Sequence, residues 1–189
     1  MTGSVRPLGK KSLTVMNHLK VSGTFNLMGK VPGDLHESLV RAVRSVSQAC
    51  FFDEAGKPLK TEVVGVDKAV ASTLKEYQWN VQENYCPVLD CDFNVDLAIP
   101  KQKVLLEVEK GKLPRLELDI FKVASACLQH PERWQYGTLI VPSSYIELPL
   151  EGRQSPYQYL QRLAPLIKTV LATSLVKGFL VIGYDDPRG

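Results

Sequence analysis

At 189 residues, with 44% hydrophobic and 23% charged residues, the chain has the make-up of one folded domain with a proper core, or one domain plus a small appendage. No apolar run reaches the roughly 18 residues of a transmembrane helix, and the N-terminus lacks the apolar stretch of a secretory signal, so a cytoplasmic protein is expected. The formal net charge of +3 permits a nucleic-acid partner without demanding one.

In chain order, residues 1–11 are basic and rich in Gly and Pro, as in a tail. Residues 12–31 read as a β-hairpin turning at Ser22-Gly23, with Lys20 and Lys30 near the strand ends. Residues 1–33 are thus expected to form a tail and hairpin appendage, and residues 34–189 the main domain. Asp34 can cap a helix, with Glu37 three residues on as its capping-box partner. Leu35, Leu39, Ala42, Val43, Val46 and Ala49 then make one apolar stripe, with Arg41 and Arg44 off it. After a loop over 53–62, a helix is expected from Asp67 to Tyr77 and a short strand over 79–82.

Residues 93–99 and 104–108 alternate or run apolar on either side of a polar loop opening at Pro100, the pattern of a second hairpin. Residues 115–129 show helical spacing, with Leu116, Ile120, Ala124 and Cys127 on one face. Residues 136–141 form a compact apolar strand. Ser155-Pro156 is a helix start, cap then proline at the first helical position. That helix is expected to reach Thr173, kinked by Pro165, before a last strand over 178–184. Helices before and after a three-strand meander, followed by further strands, define an α/β fold with a mixed central sheet flanked by helices. Cys50, Cys86, Cys91 and Cys127 are scattered, which points to free, mostly buried thiols and not to a disulfide framework or zinc site.

The hairpin over 93–108 carries the chemistry. If Ile99 pairs with Val104, counting back sets Asp96 opposite Glu107 and Asn94 opposite Glu109, all on one face. Like charges about 5 Å apart across a ladder repel, and a divalent cation would relieve the repulsion. The plain alternative is a wet sheet face with acids in solvent. Leu105 and Ala98 share that face, however, and the acids gather at the end away from the loop. Paired carboxylates beside a divalent cation suit phosphodiester hydrolysis, in which Mg²⁺ lowers the pKa of bound water and neutralises charge on the phosphate.

Asp96 and, eleven residues on, Glu107-Val108-Glu109, set in a helix, three strands, helix and strand, resemble the PD-(D/E)XK nuclease superfamily. The ExE form, with Glu109 where Lys is usual, is similar to type II restriction endonucleases of the BamHI/BglII-like kind. The resemblance covers roughly residues 67–142 and includes LLEVEKGKLPRLELDIFKVASACL and the strand YGTLIVP; Val95 stands where the motif often has Pro. It implies a restriction-endonuclease-like core and a catalytic set of Asp96, Glu107 and Glu109. Asp96 and Glu107 would hold one or two Mg²⁺ ions, and Glu109 would orient or deprotonate the attacking water. Lys112, Arg115 and Lys122 become candidates for contact with double-stranded DNA, and a homodimer suits cutting of both strands.

Arg115, Asp119 and Lys122 also share a helix face, where an Arg115–Asp119 pair would explain two of them without DNA. Nothing identifies base-reading residues. A glycosidase would need an aromatic sugar platform, Ser143-Ser144 lacks a nucleophile elbow, and no P-loop or dinucleotide fingerprint occurs. The competing expectations are a non-catalytic DNA-binding or interaction domain of the same fold, and a repair or structure-specific nuclease without sequence preference.

Overall fold

Three apolar runs too continuous to have a wet side, VLLEV, YGTLIVP and GFLVIGYD, become the parallel centre of a sheet covered on both faces. The computed structural model describes residues 18–53, 65–88, 93–109, 113–143 and 155–185. Its elements are β1 (Lys20–Gly29), α1 (Gly33–Arg44), α2 (Val66–Glu76), β2 (Gln82–Tyr85), β3 (Val95–Ile99), β4 (Val104–Val108), α3 (Leu113–Gln129), β5 (Tyr136–Pro142), α4 (Pro156–Leu171) and β6 (Gly178–Asp185). The sheet runs β1-β6-β5-β4-β3-β2; β4, β5 and β6 are parallel, and the other pairs antiparallel. The fold is α/β with a six-stranded mixed open sheet flanked by helices.

Alternation along the strands separates two cores. Leu106 and Val108 of β4, with Leu180 and Ile182 of β6, pack beneath α1 and α2. Leu105, with Val181 of β6 and Leu139 of β5, packs beneath α3 and α4. The connections β4-α3-β5 and β5-α4-β6 each join parallel neighbours, so α3 and α4 run the same way along one face.

The loop after β3 is a 3-10 turn over Pro100–Gln102 closed by Lys103 at φ 55, and the hairpin register is Ile99↔Val104, Ala98↔Leu105, Leu97↔Leu106. The start of α4 also follows the expectation: Ser155 accepts the Gln158 N–H in a capping box. Elsewhere the structure departs from expectation. No hairpin turns at Ser22-Gly23; β1 is a single strand along β6, and the Val21/Gly23 step is a bulge. Gly23 serves close packing there, since a Cβ on it would lie 2.7 Å from the Tyr157 hydroxyl. Asp34 lies inside the first turn of α1, which Pro32 precedes with no side-chain cap, so its charge acts on the helix dipole. The short second strand forms at Gln82–Tyr85, three residues later than expected, where it can pair with β3. Of the three described cysteines only Cys127 is buried, Cys50 being half-buried and Cys86 exposed, so the expectation of mostly buried thiols fails; Cys91 and the tail over 1–11 lie outside the described residues. Among the described residues, no helix is long and apolar enough to cross a membrane.

Candidate active site

The site forms where the β3–β4 hairpin opens. Its ladder runs from Ile99↔Val104 to Leu97↔Leu106. At the next step each strand carries an acid, and the carboxylates take over as backbone acceptors. Val108 N–H donates to Asp96 Oδ2 at 2.7 Å, and Asp96 N–H donates to Glu107 Oε2 at 3.3 Å. Beyond this fork β4 stays with β5: Val108 aligns with Ile140, and Glu109 N–H donates to the Ile140 carbonyl at 2.9 Å. The other arm turns to its own neighbour, where Asn94 Nδ2 donates to Asn84 Oδ1. The expected Asn94–Glu109 opposition therefore does not form, because the strands part before they reach it.

The acidic face is not a wet one. It is the face bearing Ala98 and Leu105, which α3 covers, and Glu107 is only 3% exposed and Glu109 5%. From α3, Lys122 turns inward: its Nζ donates to Glu107 Oε1 at 2.9 Å and to Asp119 Oδ1 at 3.0 Å. Asp119 thus pairs with Lys122, three residues along its own helix, and is itself buried. Arg115 is exposed near the start of the same helix, and Lys112 lies outside the described residues. Asp119 is the member of the cluster that sequence reasoning missed. Its signal was there, a carboxylate on the α3 face shared with Lys122, but it read as a surface ion pair.

Two carboxyls, those of Glu107 and Asp119, meet the Lys122 ammonium, and the charge of Asp96 acts on both and that of Glu109 on Asp119. Burial first, then the charges of Asp119 and Asp96, push the Glu107 carboxyl up to about 8 against the opposing pull of Lys122. Asp119 is raised chiefly by burial, with Lys122 opposing and the charges of Glu109 and Asp96 adding to the rise. Burial disfavours the Lys122 charge, but its bonds to Glu107 and Asp119 outweigh this and raise its pKa, so it stays protonated. Behind Glu109, the buried Tyr184 hydroxyl donates to the Glu109 carbonyl at 3.4 Å. The cluster sits at the carboxyl end of parallel strand β4, the end where open α/β sheets bind ligands.

This donor set suits a hard divalent cation. The oxygens are those of carboxyl groups, and burial, followed by the charges of Asp119 and Asp96, keeps a proton on Glu107 near neutrality even with Lys122 beside it. Among the described residues no group of three His, Cys, Asp or Glu side chains converges to hold a metal ion. A cation here would rely on two acids, with water and ligand oxygens completing its shell, as Mg²⁺ accepts. Compared with family models and with curated proteins, the sequence matches none.

Proposed function

We propose that this chain is a Mg²⁺-dependent DNA endonuclease with a restriction-endonuclease-like core, acting on double-stranded DNA as a cytoplasmic homodimer. The observation that supports the reading is the fork: Asp96 and Glu107 meet where β3 and β4 part, each anchored by a backbone amide, with Glu107 buried beside Lys122. Asp96 and Glu107 are the residues to hold Mg²⁺. The ion, when bound, would supply an acidified water and neutralise charge on the scissile phosphate.

The protein's own groups have separate tasks in this reading. The Val108 and Asp96 amides fix the two carboxylates, so little ordering is left to the moment of reaction. Glu109, held by β5, accepts the proton of the attacking water. Lys122 orients Glu107 and keeps Asp119 paired, so its ammonium organises carboxylates. Arg115, exposed at the start of α3, and Lys112 are left to meet the DNA backbone.

A second reading has an observation of its own. Lys122 already meets Glu107 and Asp119, so the cluster has an internal counter-ion, as a non-catalytic DNA-binding or interaction domain would need. Incubating plasmid DNA with the protein, with Mg²⁺ or with EDTA, separates the two. Discrete fragments in Mg²⁺ alone support a site-specific endonuclease, and a smear a nuclease without sequence preference. DNA retention without cleavage supports the binding domain.

A further inference from the structure

Lys122 meets two buried carboxyls where one would balance it. Its side chain is 15% exposed, that of Glu107 3% and that of Asp119 9%, so all three groups have largely left water. A second acid in such a place adds repulsion between like charges, which a dry site does not screen. The pairing of Lys122 with Glu107 alone does not require Asp119. The oxygens at the fork are also unequally engaged. Asp96 Oδ2 accepts the Val108 amide and Glu107 Oε2 accepts the Asp96 amide, so the backbone holds one oxygen of each acid and leaves Asp96 Oδ1 and Glu107 Oε1 to a cation. Glu107 Oε1, however, accepts from Lys122 Nζ at 2.9 Å. An ammonium already stands where a metal ion would bind. The same Nζ donates to Asp119 Oδ1 at 3.0 Å, three residues earlier on its own helix, so Lys122 can let go of Glu107 without α3 moving.

We infer that Asp119 is the alternative seat of Lys122: when Mg²⁺ enters the fork, the ammonium gives up Glu107 Oε1 and stays on Asp119 Oδ1. Binding is then an exchange of one counter-ion for another at Glu107. Lys122 acts as a competitor built into the chain, and the apparent affinity for the metal falls by the fraction of molecules in which the lysine holds Glu107. Asp119 makes the exchange feasible, because a displaced ammonium without it would be left buried and unpaired. Asp119 is therefore a positioning residue, which acts through Lys122 and not on the metal. The inference rests on the reading of Asp96 and Glu107 as the Mg²⁺ ligands and goes beyond it, since that reading does not require Lys122 to move.

The experiment is calorimetric titration of Mg²⁺ at pH 8 into the full chain, as wild type, as Asp119→Asn, and as Lys122→Met combined with Asp119→Asn. The double variant loses one positive and one negative charge, so the net charge at the fork is kept and a change in affinity reports the lost competitor. It should bind Mg²⁺ about tenfold more tightly than wild type, and Asp119→Asn, in which Lys122 has only Glu107, about tenfold more weakly. A folded double variant that binds no more tightly than wild type overturns the inference and leaves the Mg²⁺ reading standing. Absence of binding by both wild type and double variant overturns the two together. Should the double variant not fold, the wild type gives the answer by nuclear magnetic resonance. The Overhauser contact between the Lys122 Hε and Glu107 Hγ protons must be lost at saturating Mg²⁺ while that from Lys122 Hε to Asp119 Hβ persists; a Lys122–Glu107 contact that survives saturation overturns the inference.

Discussion

The two ends of the β3–β4 hairpin are built from neighbouring residues and are held by different forces. At the loop end, Leu97, Ala98 and Ile99 pair with Leu106, Leu105 and Val104, all essentially inaccessible, and hydrophobic burial and a regular ladder do the holding. At the open end the ladder stops, and carboxylates occupy the places of backbone carbonyls under the cover of α3. Burying several acids around a single lysine costs stability, which the loop end and the two cores offset. A sheet does not need such a cluster for its own sake, so in the proposed reading the difference separates residues that keep the fold from residues that would serve the function.

Substitutions at the two ends should therefore separate activity from stability. Glu107→Ala should reduce cleavage in Mg²⁺ to the background of a plasmid assay, a loss of a thousandfold or more, with the fold retained by circular dichroism. Full activity in that variant would remove Glu107 from the mechanism. Leu106→Ala, one residue away, should do the reverse. It should cost about 2–5 kcal/mol in denaturant unfolding and leave cleavage per folded molecule unchanged. Lys122→Met should cost about 3 kcal/mol, because it strands two buried carboxyls, and the loss should be larger at pH 8 than at pH 5, where Glu107 carries its proton.

The open end also sets a pH dependence that the loop end cannot. Glu107 keeps its proton up to about 8 in the folded chain against an ordinary 4.5, so the folded state is favoured fully below about 4.5 and loses that advantage as the pH rises to about 8. Asp119 acts in the same direction, while Lys122, its pKa raised, changes charge only in the alkaline range. In metal-free buffer Tm should fall between pH 5 and pH 8; Glu107→Gln should flatten the decline, and Mg²⁺ should reverse it at pH 8. A Tm that rises over that range would contradict the electrostatics assigned to the cluster. The smallest effect should come from a site remote from both ends: Ser155→Ala removes the α4 cap and should cost about 1 kcal/mol without altering cleavage.

Local pattern carried a good part of this architecture. Pro100 and the apolar runs beside it fixed the hairpin register, and Ser155-Pro156 marked the start of α4, because turns and caps are written within a few residues. What local pattern could not carry was contact between distant segments. Ser22-Gly23 has the composition of a turn, yet its glycine makes room for Tyr157 on a helix more than 130 residues away in sequence. The register that set Asp96 beside Glu107 failed by Asn94 and Glu109, two positions on, because β4 is held by β5 and β3 by β2. Lys122 was legible as a cation on the right face of α3, but its direction depends on Glu107, fifteen residues earlier on a different element.

The account rests on Asp96 and Glu107 together holding a divalent cation, and calorimetric titration of Mg²⁺ into the wild type and Asp96→Ala, both at pH 8, tests this most directly. Saturable binding by the wild type that is lost in Asp96→Ala, with the variant still folded, is the predicted result; equal binding by both proteins, or none by the wild type, would contradict it.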